Sequence, residues 1–86
     1  MPRICEFFGV LVAMYHNDHN PPHFHAEYAE HEASFSINTL EVLEGELPRR
    51  ARALVVEWAS LHRAELLANW ELARRQLPLR PIEPLE

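Results

Sequence analysis

The chain has 86 residues, 48% of them hydrophobic and 24% charged, and its formal net charge is −5. This length allows one domain with a single small core, and the composition excludes a disordered or fibrous chain. No apolar run is long enough to span a bilayer, no signal peptide is recognisable, and the single cysteine, Cys5, has no disulfide partner within the chain. We therefore expect a cytoplasmic protein without membrane contacts and with a buried, inert thiol.

The first half of the chain predicts a small antiparallel sheet of three to five strands over residues 3–44. β-Branched and aromatic residues flank Gly9, and apolar and polar residues alternate after the proline-containing loop. Short polar connections favour strands that pair with their neighbours in the chain. The predicted strands cover residues 3–8, 10–16, 23–29, 33–37 and, more weakly, 40–43.

The second half predicts two helices, over about residues 48–60 and 62–76, that cover one face of the sheet. Each helical residue turns by about 100°, so Leu54, Trp58 and Leu61 form one apolar stripe. Glu65 would fall within that stripe and Trp70 would fall well outside it, which predicts a break near residues 60–63. The fold class is therefore α+β, with a single domain over residues 1–77 and an extended, Pro-rich tail over 78–86.

Alternation along the strands also predicts which face of the sheet the helices cover. The covered face should carry Phe24, Ala26, Tyr28, Phe35 and Ile37. The opposite face should then be open to solvent and carry His23, His25 and Glu27.

Histidine is unusually frequent, with five of the six imidazoles between positions 16 and 31. His23 and His25 form a His-x-His pair on one strand face, so both rings can approach one ion. With Asp18 or His19 from the preceding loop, they match a Zn-type site, or one for another divalent metal, with a position left for water. Asp18, His19, His23 and His25 are thus the candidate metal ligands and catalytic residues, and His16 is a weaker candidate.

Two other interpretations of the histidine cluster remain open at this stage. Paired imidazoles can act without metal as general acid and base at a phosphodiester. They can also bond to the backbone of the loop and only hold the turn in shape.

Outside the cluster, a few residues are candidates for contact with a partner. Trp70 is either a core residue or a partner anchor, and Glu65 either orients a histidine or marks a helix boundary. Arg49, Arg50 and Arg52 could contact an acidic protein or nucleic acid, although a pI near 5.6 gives nucleic acid little support.

Motifs spread over nearly the whole chain are similar to those of a known family. They are Met1-Pro2-Arg3-Ile4, the run 17–28 with its Asp-His-x-Pro-Pro-His-x-His pattern, and then 44–48, Glu57-Trp58, Leu61-His62 and 65–70. On these residues the chain resembles the bacterial family called domain of unknown function 4160. In that family position 16 is often apolar or aromatic, which leaves Asp18, His19, His23 and His25 as the better ligand set.

The resemblance implies a small bacterial protein that is encoded beside another short protein, in the manner of a toxin–antitoxin pair. Our leading hypothesis from the sequence is therefore a module that binds a small protein partner. The alternative is a metal-dependent, Zn-type hydrolase or nuclease that uses the Asp18–His25 segment. A third hypothesis is a binding surface that responds to pH through its imidazoles.

Overall fold

The computed structural model describes residues 2–16 and 18–86; Met1 and Asn17 lie outside the described residues. The described chain forms a five-stranded antiparallel sheet, with the strands side by side in chain order, followed by two helices. The predicted α+β fold is confirmed. The elements are β1 (Arg3–Phe7), β2 (Val10–Ala13), β3 (His23–Tyr28), β4 (His31–Ser36), β5 (Val42–Glu46), α1 (Arg49–Leu61) and α2 (Arg63–Arg74).

The fifth strand lies two to three residues further along the chain than predicted. Leu40 has a φ of 63° and belongs to a turn, in which its N–H donates to the Ser36 carbonyl and the N–H of Thr39 donates to the Ser36 hydroxyl. The strand begins only after this turn and continues through Gly45, whose φ is 74°. A Cβ at this glycine would lie 2.2 Å from the Glu32 carbonyl oxygen, so the close approach of β4 and β5 requires glycine here.

The predicted break between the helices is confirmed. His62 separates α1 from α2 with a φ of −126°, outside the helical range. The predicted stripe is wrong at Leu61, which is exposed. Because α1 ends at this residue, its contact with the sheet runs instead through Ala51, Val55, Trp58 and Ala59. Within the described residues, neither helix is long and apolar enough to cross a membrane.

Trp58 is the centre of the core between α1 and the sheet. Its indole packs on Phe7 and Phe24, with ring centroids 5.4 and 6.0 Å away, and Phe24 stacks on Phe35 of the next strand. The helices thus cover the predicted sheet face, whose buried members are Phe24, Ala26, Phe35 and Ile37.

The segment 78–86 contains no helix or strand and packs against the domain. Its Ile82 N–H donates to the carbonyl of Ile4 at 2.9 Å, along the outer edge of β1. The indole N–H of Trp58 donates to the Glu83 carbonyl at 2.8 Å, and Ile82 is buried in the core. The tail therefore covers one edge of the sheet.

The opposite face of the sheet, which we call the open face, is strongly acidic. Glu27 on β3 pairs with Glu32 on β4, and Glu32 pairs with Glu46 on β5, so three carboxylates lie in one row across the strands. The expectation that His23 also lies open to solvent is wrong. Only 7% of His23 is exposed, because the Trp70 ring of α2 covers it at a centroid distance of 5.2 Å.

Candidate metal centre

Three of the predicted ligands meet where the loop after β2 joins β3. Alternation along β3 places His23 and His25 on the same side of the sheet, with their ring centroids 5.2 Å apart. Asp18 reaches them from the loop, and its Oδ1 accepts a hydrogen bond from the His19 backbone N–H at 2.9 Å. The loop thus fixes one carboxylate oxygen and directs the other at the two imidazoles.

The distances among the three side chains suit a single metal ion. The Nε2 atoms of His23 and His25 lie 3.0 and 3.5 Å from Oδ2 of Asp18. One ligand atom from each residue lies within 4.8 Å of the other two. Metal–ligand bonds of about 2.1 Å in a tetrahedron place neighbouring ligand atoms about 3.4 Å apart. Small side-chain adjustments would therefore bring all three donors to bonding distance.

The hydrogen bonds of His23 restrict what can lie between its ring and Asp18. Its Nδ1 is 2.6 Å from the Pro21 carbonyl oxygen, which only accepts, so Nδ1 carries a proton. Its Nε2 then faces a carboxylate oxygen, which also only accepts when ionised. With its Nδ1 proton bonded to Pro21, a neutral His23 ring would present an unprotonated Nε2 to Asp18, and the two side chains could together hold a metal cation.

Asp18 is held in the ionised form that a ligand needs. Partial burial acts to raise the pKa of this carboxyl, but the His19 N–H and the charge and hydrogen bonds of His23 and His25 outweigh it and lower the pKa below its usual value. The pKa of nearby Tyr15 is raised, first by burial and then by the charges of Glu32, Glu27 and Asp18. The phenol accordingly stays neutral.

Aromatic rings cover the centre on two sides. Trp70 packs on His23, and Tyr15 meets His25 edge to face with centroids 4.6 Å apart. His25 and Asp18 remain partly exposed. The centre is therefore shielded next to α2 and accessible from the open face, which leaves room for a further ligand.

The sequence model of one protein family, described as Domain of unknown function (DUF4160), matches residues 9–71. This range includes β2 to β5, α1, most of α2 and all three residues of the centre. The chain belongs to this family. No curated protein and no solved structure matches the chain.

Two other histidines predicted for the site have different roles in this DUF4160 domain. His19 is near the centre, but its side chain is 88% exposed and its Nδ1 lies 3.1 Å from the other oxygen of Asp18, Oδ1. His16 lies elsewhere, with its Nε2 2.9 Å from the carbonyl oxygen of Leu77, to which it donates. Of the four histidines between positions 16 and 25, only His23 and His25 therefore direct their rings at Oδ2 of Asp18.

The candidate partner residues of the DUF4160 domain also separate into two groups. Arg49, Arg50 and Arg52 are exposed at the start of α1. Trp70 is only 4% exposed and covers His23, so it is a core residue rather than a surface anchor. Glu65 lies in the first turn of α2 and pairs with His62, which fits its interpretation as a boundary residue.

Sequence reasoning missed the part that Tyr15 and Trp70 have in covering the centre. The alternation of β2, continued past Ala13, places Tyr15 on the side of His25 and could have indicated this contact. No signal in the sequence indicates that Trp70 packs on His23, because that contact depends on how α2 lies against the sheet.

Proposed function

We propose that the chain binds one divalent transition-metal ion through Asp18, His23 and His25 and acts as a metal-dependent hydrolase. The observation that carries the proposal is the His23 ring, whose protonated Nδ1 bonds to the Pro21 carbonyl while its Nε2 lies 3.0 Å from a carboxylate oxygen. A hydrogen bond from the second ring nitrogen to a carbonyl is the arrangement that orients metal-binding histidines.

The donor set favours zinc as the first metal to test. Two imidazoles and one carboxylate, with a position left open, form the ligand set of catalytic zinc sites. The same set also serves Fe²⁺, which makes iron the second metal to test. An ion held there would lower the pKa of a coordinated water and polarise a substrate carbonyl.

Among the reactions that a Zn-type centre supports, the surroundings favour hydrolysis of neutral or cationic substrates over cleavage of nucleic acid. Glu27 and Glu32 lie on the same face of the sheet as His25, and their charges repel a polyanion. Arg49, Arg50 and Arg52 lie at the start of α1, and none of the described residues that line the cleft beside His25 is an arginine.

Metal content and thermal melting test the binding step. Metal-free protein should bind about one equivalent of Zn²⁺ and melt at a higher temperature when the ion is present. Asp18→Asn and His25→Ala should abolish both effects, whereas His16→Ala, which removes a histidine outside the centre, should leave them unchanged. Substoichiometric metal without a change in melting temperature would contradict the proposal.

Hydrolysis is tested separately with a panel of chromogenic esters, amides and phosphodiesters, in the presence of Zn²⁺ or Fe²⁺. We expect metal-dependent turnover of an ester or amide that disappears in His25→Ala. If the protein binds metal but hydrolyses none of these compounds, metal binding stands and the hydrolase proposal is wrong. Turnover of phosphodiesters alone would favour the nuclease.

A second proposal, supported by a different surface, is that the chain binds a small protein partner as one member of a toxin–antitoxin-like pair in the bacterial cytoplasm. Among the described residues, β5 pairs only with β4, so its outer edge presents unpaired backbone groups. Val42 and Leu43 on this strand are exposed as well. A strand edge of this kind is a common attachment point for another chain.

Co-expression with the product of the adjacent gene tests this partner proposal. We expect the two proteins to co-purify and the growth of the host to change when one of them is expressed alone. If they do not co-purify and neither affects growth, the toxin–antitoxin proposal is wrong, whatever the outcome for metal binding.

A further inference from the structure

A cleft of about 240 Å³ lies on the open face beside the candidate metal centre. β3 contributes His25 to its wall, and β4 and β5 contribute the rest. Its lining residues are His25, Glu32, Ala33, Ser34, Glu44 and Gly45. Only His25 belongs to the candidate metal centre, so most of the cleft lies outside that centre.

The Ser34 hydroxyl opens into this cleft and has no hydrogen-bond partner among the described residues. Only 6% of Ser34 is exposed, but no buried side-chain oxygen of the described residues lacks a partner, so the unpaired Ser34 hydroxyl is accessible from the cleft. Ser36, two residues along the same strand and equally buried, accepts a bond from the Thr39 N–H. An accessible hydroxyl in the wall of a cleft, on a residue that is otherwise more than nine-tenths buried, is available to bond a group that enters the cleft.

The charge of the cleft selects a cation. Glu32 and Glu44 line it, and Glu27 and Glu46 lie beside Glu32 on the neighbouring strands. Across residues 2–16 and 18–86, none of these four carboxylates forms an ion pair. An ammonium or guanidinium group would relieve their mutual repulsion and could donate to both a carboxylate and the Ser34 hydroxyl.

The edge of β5 indicates that this cation is attached to an extended peptide. Glu44 and Gly45 form one wall of the cleft, and the outer edge of the same strand pairs with no other described strand. A peptide strand added there would present alternate side chains to the open face. A second copy of this chain fits poorly, because pairing β5 with itself would bring Glu44 and Glu46 close to their own copies.

From these contacts we infer that β5 and the adjoining cleft bind an extended peptide segment of a partner, with an arginine or lysine side chain in the cleft between Glu32, Ser34 and Glu44. The inference rests on the second proposal above, that the chain binds a partner protein, and adds the chemistry of the segment that is bound. It does not require a metal ion.

Binding of synthetic peptides to the metal-free protein tests the inference, with chemical-shift titration in a chelator-containing buffer of low salt. The first probe is acetyl-Thr-Val-Arg-Val-Thr-amide, and the second has citrulline, the neutral isostere, in place of arginine. We expect the arginine peptide to bind about fivefold more tightly, with shifts at 32–34 and 42–46. Equal affinities would overturn the inference.

Variants of the protein and the peptide locate the contact. Glu44→Gln should weaken the arginine peptide about threefold, whereas Glu41→Gln, an exposed glutamate just before β5 that does not line the cleft, should not. Methylation of the two valine nitrogens, which removes backbone donors, should also weaken binding. An unchanged affinity in Glu44→Gln, or equally tight binding of the methylated peptide or of free argininamide, would overturn the assignment.

Because these peptides are synthetic, a negative result would show only that β5 does not bind a basic peptide segment. The co-purification experiment with the adjacent gene product would still decide whether the chain has a partner at all. The two failures are therefore distinguishable.

Discussion

His23 and His25 are two residues apart on the same strand, but their surroundings differ. His23 is covered by Trp70 and fixed through Nδ1 by the Pro21 carbonyl, so its Nε2 can only point towards Asp18. His25 packs against Tyr15 and lines the open cleft with its other surface. We therefore expect His23 to be the rigid ligand and His25 to be the ligand next to any substrate.

Cys5 provides a prediction on the same scale. Only 7% of this residue is exposed, and burial is the main reason why the pKa of its thiol is raised. Raising a thiol pKa lowers the thiolate fraction at neutral pH, and the thiolate is the reactive form. We expect a thiol reagent such as dithionitrobenzoate to modify native protein slowly and urea-unfolded protein rapidly. Rapid modification of the native protein at pH 7.5 would contradict the buried position.

Among the longer elements, the Pro-rich tail depends on one buried amide of α2. The Asn69 side chain accepts from the Arg80 N–H and donates to the Arg80 carbonyl, both at 2.9 Å. The Asn69 amide therefore satisfies both backbone hydrogen-bonding groups of Arg80, as a neighbouring strand would. Two residues further on, the Ile82 N–H donates to Ile4 of β1. The tail is therefore held both by α2 and by the edge of the sheet.

Replacement of Asn69 by alanine should therefore destabilise the whole domain. We expect the free energy of unfolding to fall by about 1–3 kcal/mol, since two backbone groups of Arg80 lose their partners. Urea denaturation measures the loss, and Asn38→Ala, at an exposed position, is the matched control. If both variants unfold at the urea midpoint of the unsubstituted protein, the tail contributes no stability through Asn69.

The break between α1 and α2 shows an element that the sequence specifies well. Glu65 and Trp70 could not both have been placed favourably on one straight helix that also buries Trp58. In the structure Trp58 and Trp70 are both buried and Glu65 is exposed, as the break allows. By contrast, β5 was placed too early, because the turn at Leu40 depends on hydrogen bonds to Ser36 that polarity alone does not reveal.

Over the whole molecule, charge is divided between sheet and helices. Residues 1–47 contain eight acidic residues and one arginine, for a charge of −7, and residues 48–86 have a charge of +2. The excess negative charge of the sheet is concentrated in one row across the strands, because Glu32 pairs with both Glu27 and Glu46. Like charges directly opposite each other destabilise a sheet.

Added salt should therefore stabilise the protein. Raising NaCl from about 0.02 to 0.5 M shortens the Debye length to a few ångströms and screens this repulsion, which should increase the free energy of unfolding by about 1 kcal/mol. Thermal melting measures the change. Glu32→Gln removes the middle carboxylate of the row and should make the melting temperature less sensitive to salt. A melting temperature that falls with salt would contradict this account.

The candidate centre was partly predictable for a reason of local geometry. His23 and His25 share a face because strand residues alternate, and Asp18 is close because a short loop joins it to β3. The sequence could not decide whether Asp18 or His19 joins the His23–His25 pair, since the choice depends on which loop side chain turns towards the two rings. Ser34 gave no signal, because a hydroxyl in the wall of a cleft is recognised only after its surroundings are known.

By itself, the sequence determined the α+β class, the two-helix break and the position of His23 and His25 on one strand face, because periodicity and short loops act over a few residues. Only the tertiary structure decided that α2 places Trp70 over His23, that the tail covers the edge of β1 and that a cleft lies between His25 and Glu44. These features join residues far apart in the chain, and their positions depend on how the helices and the tail pack on the sheet.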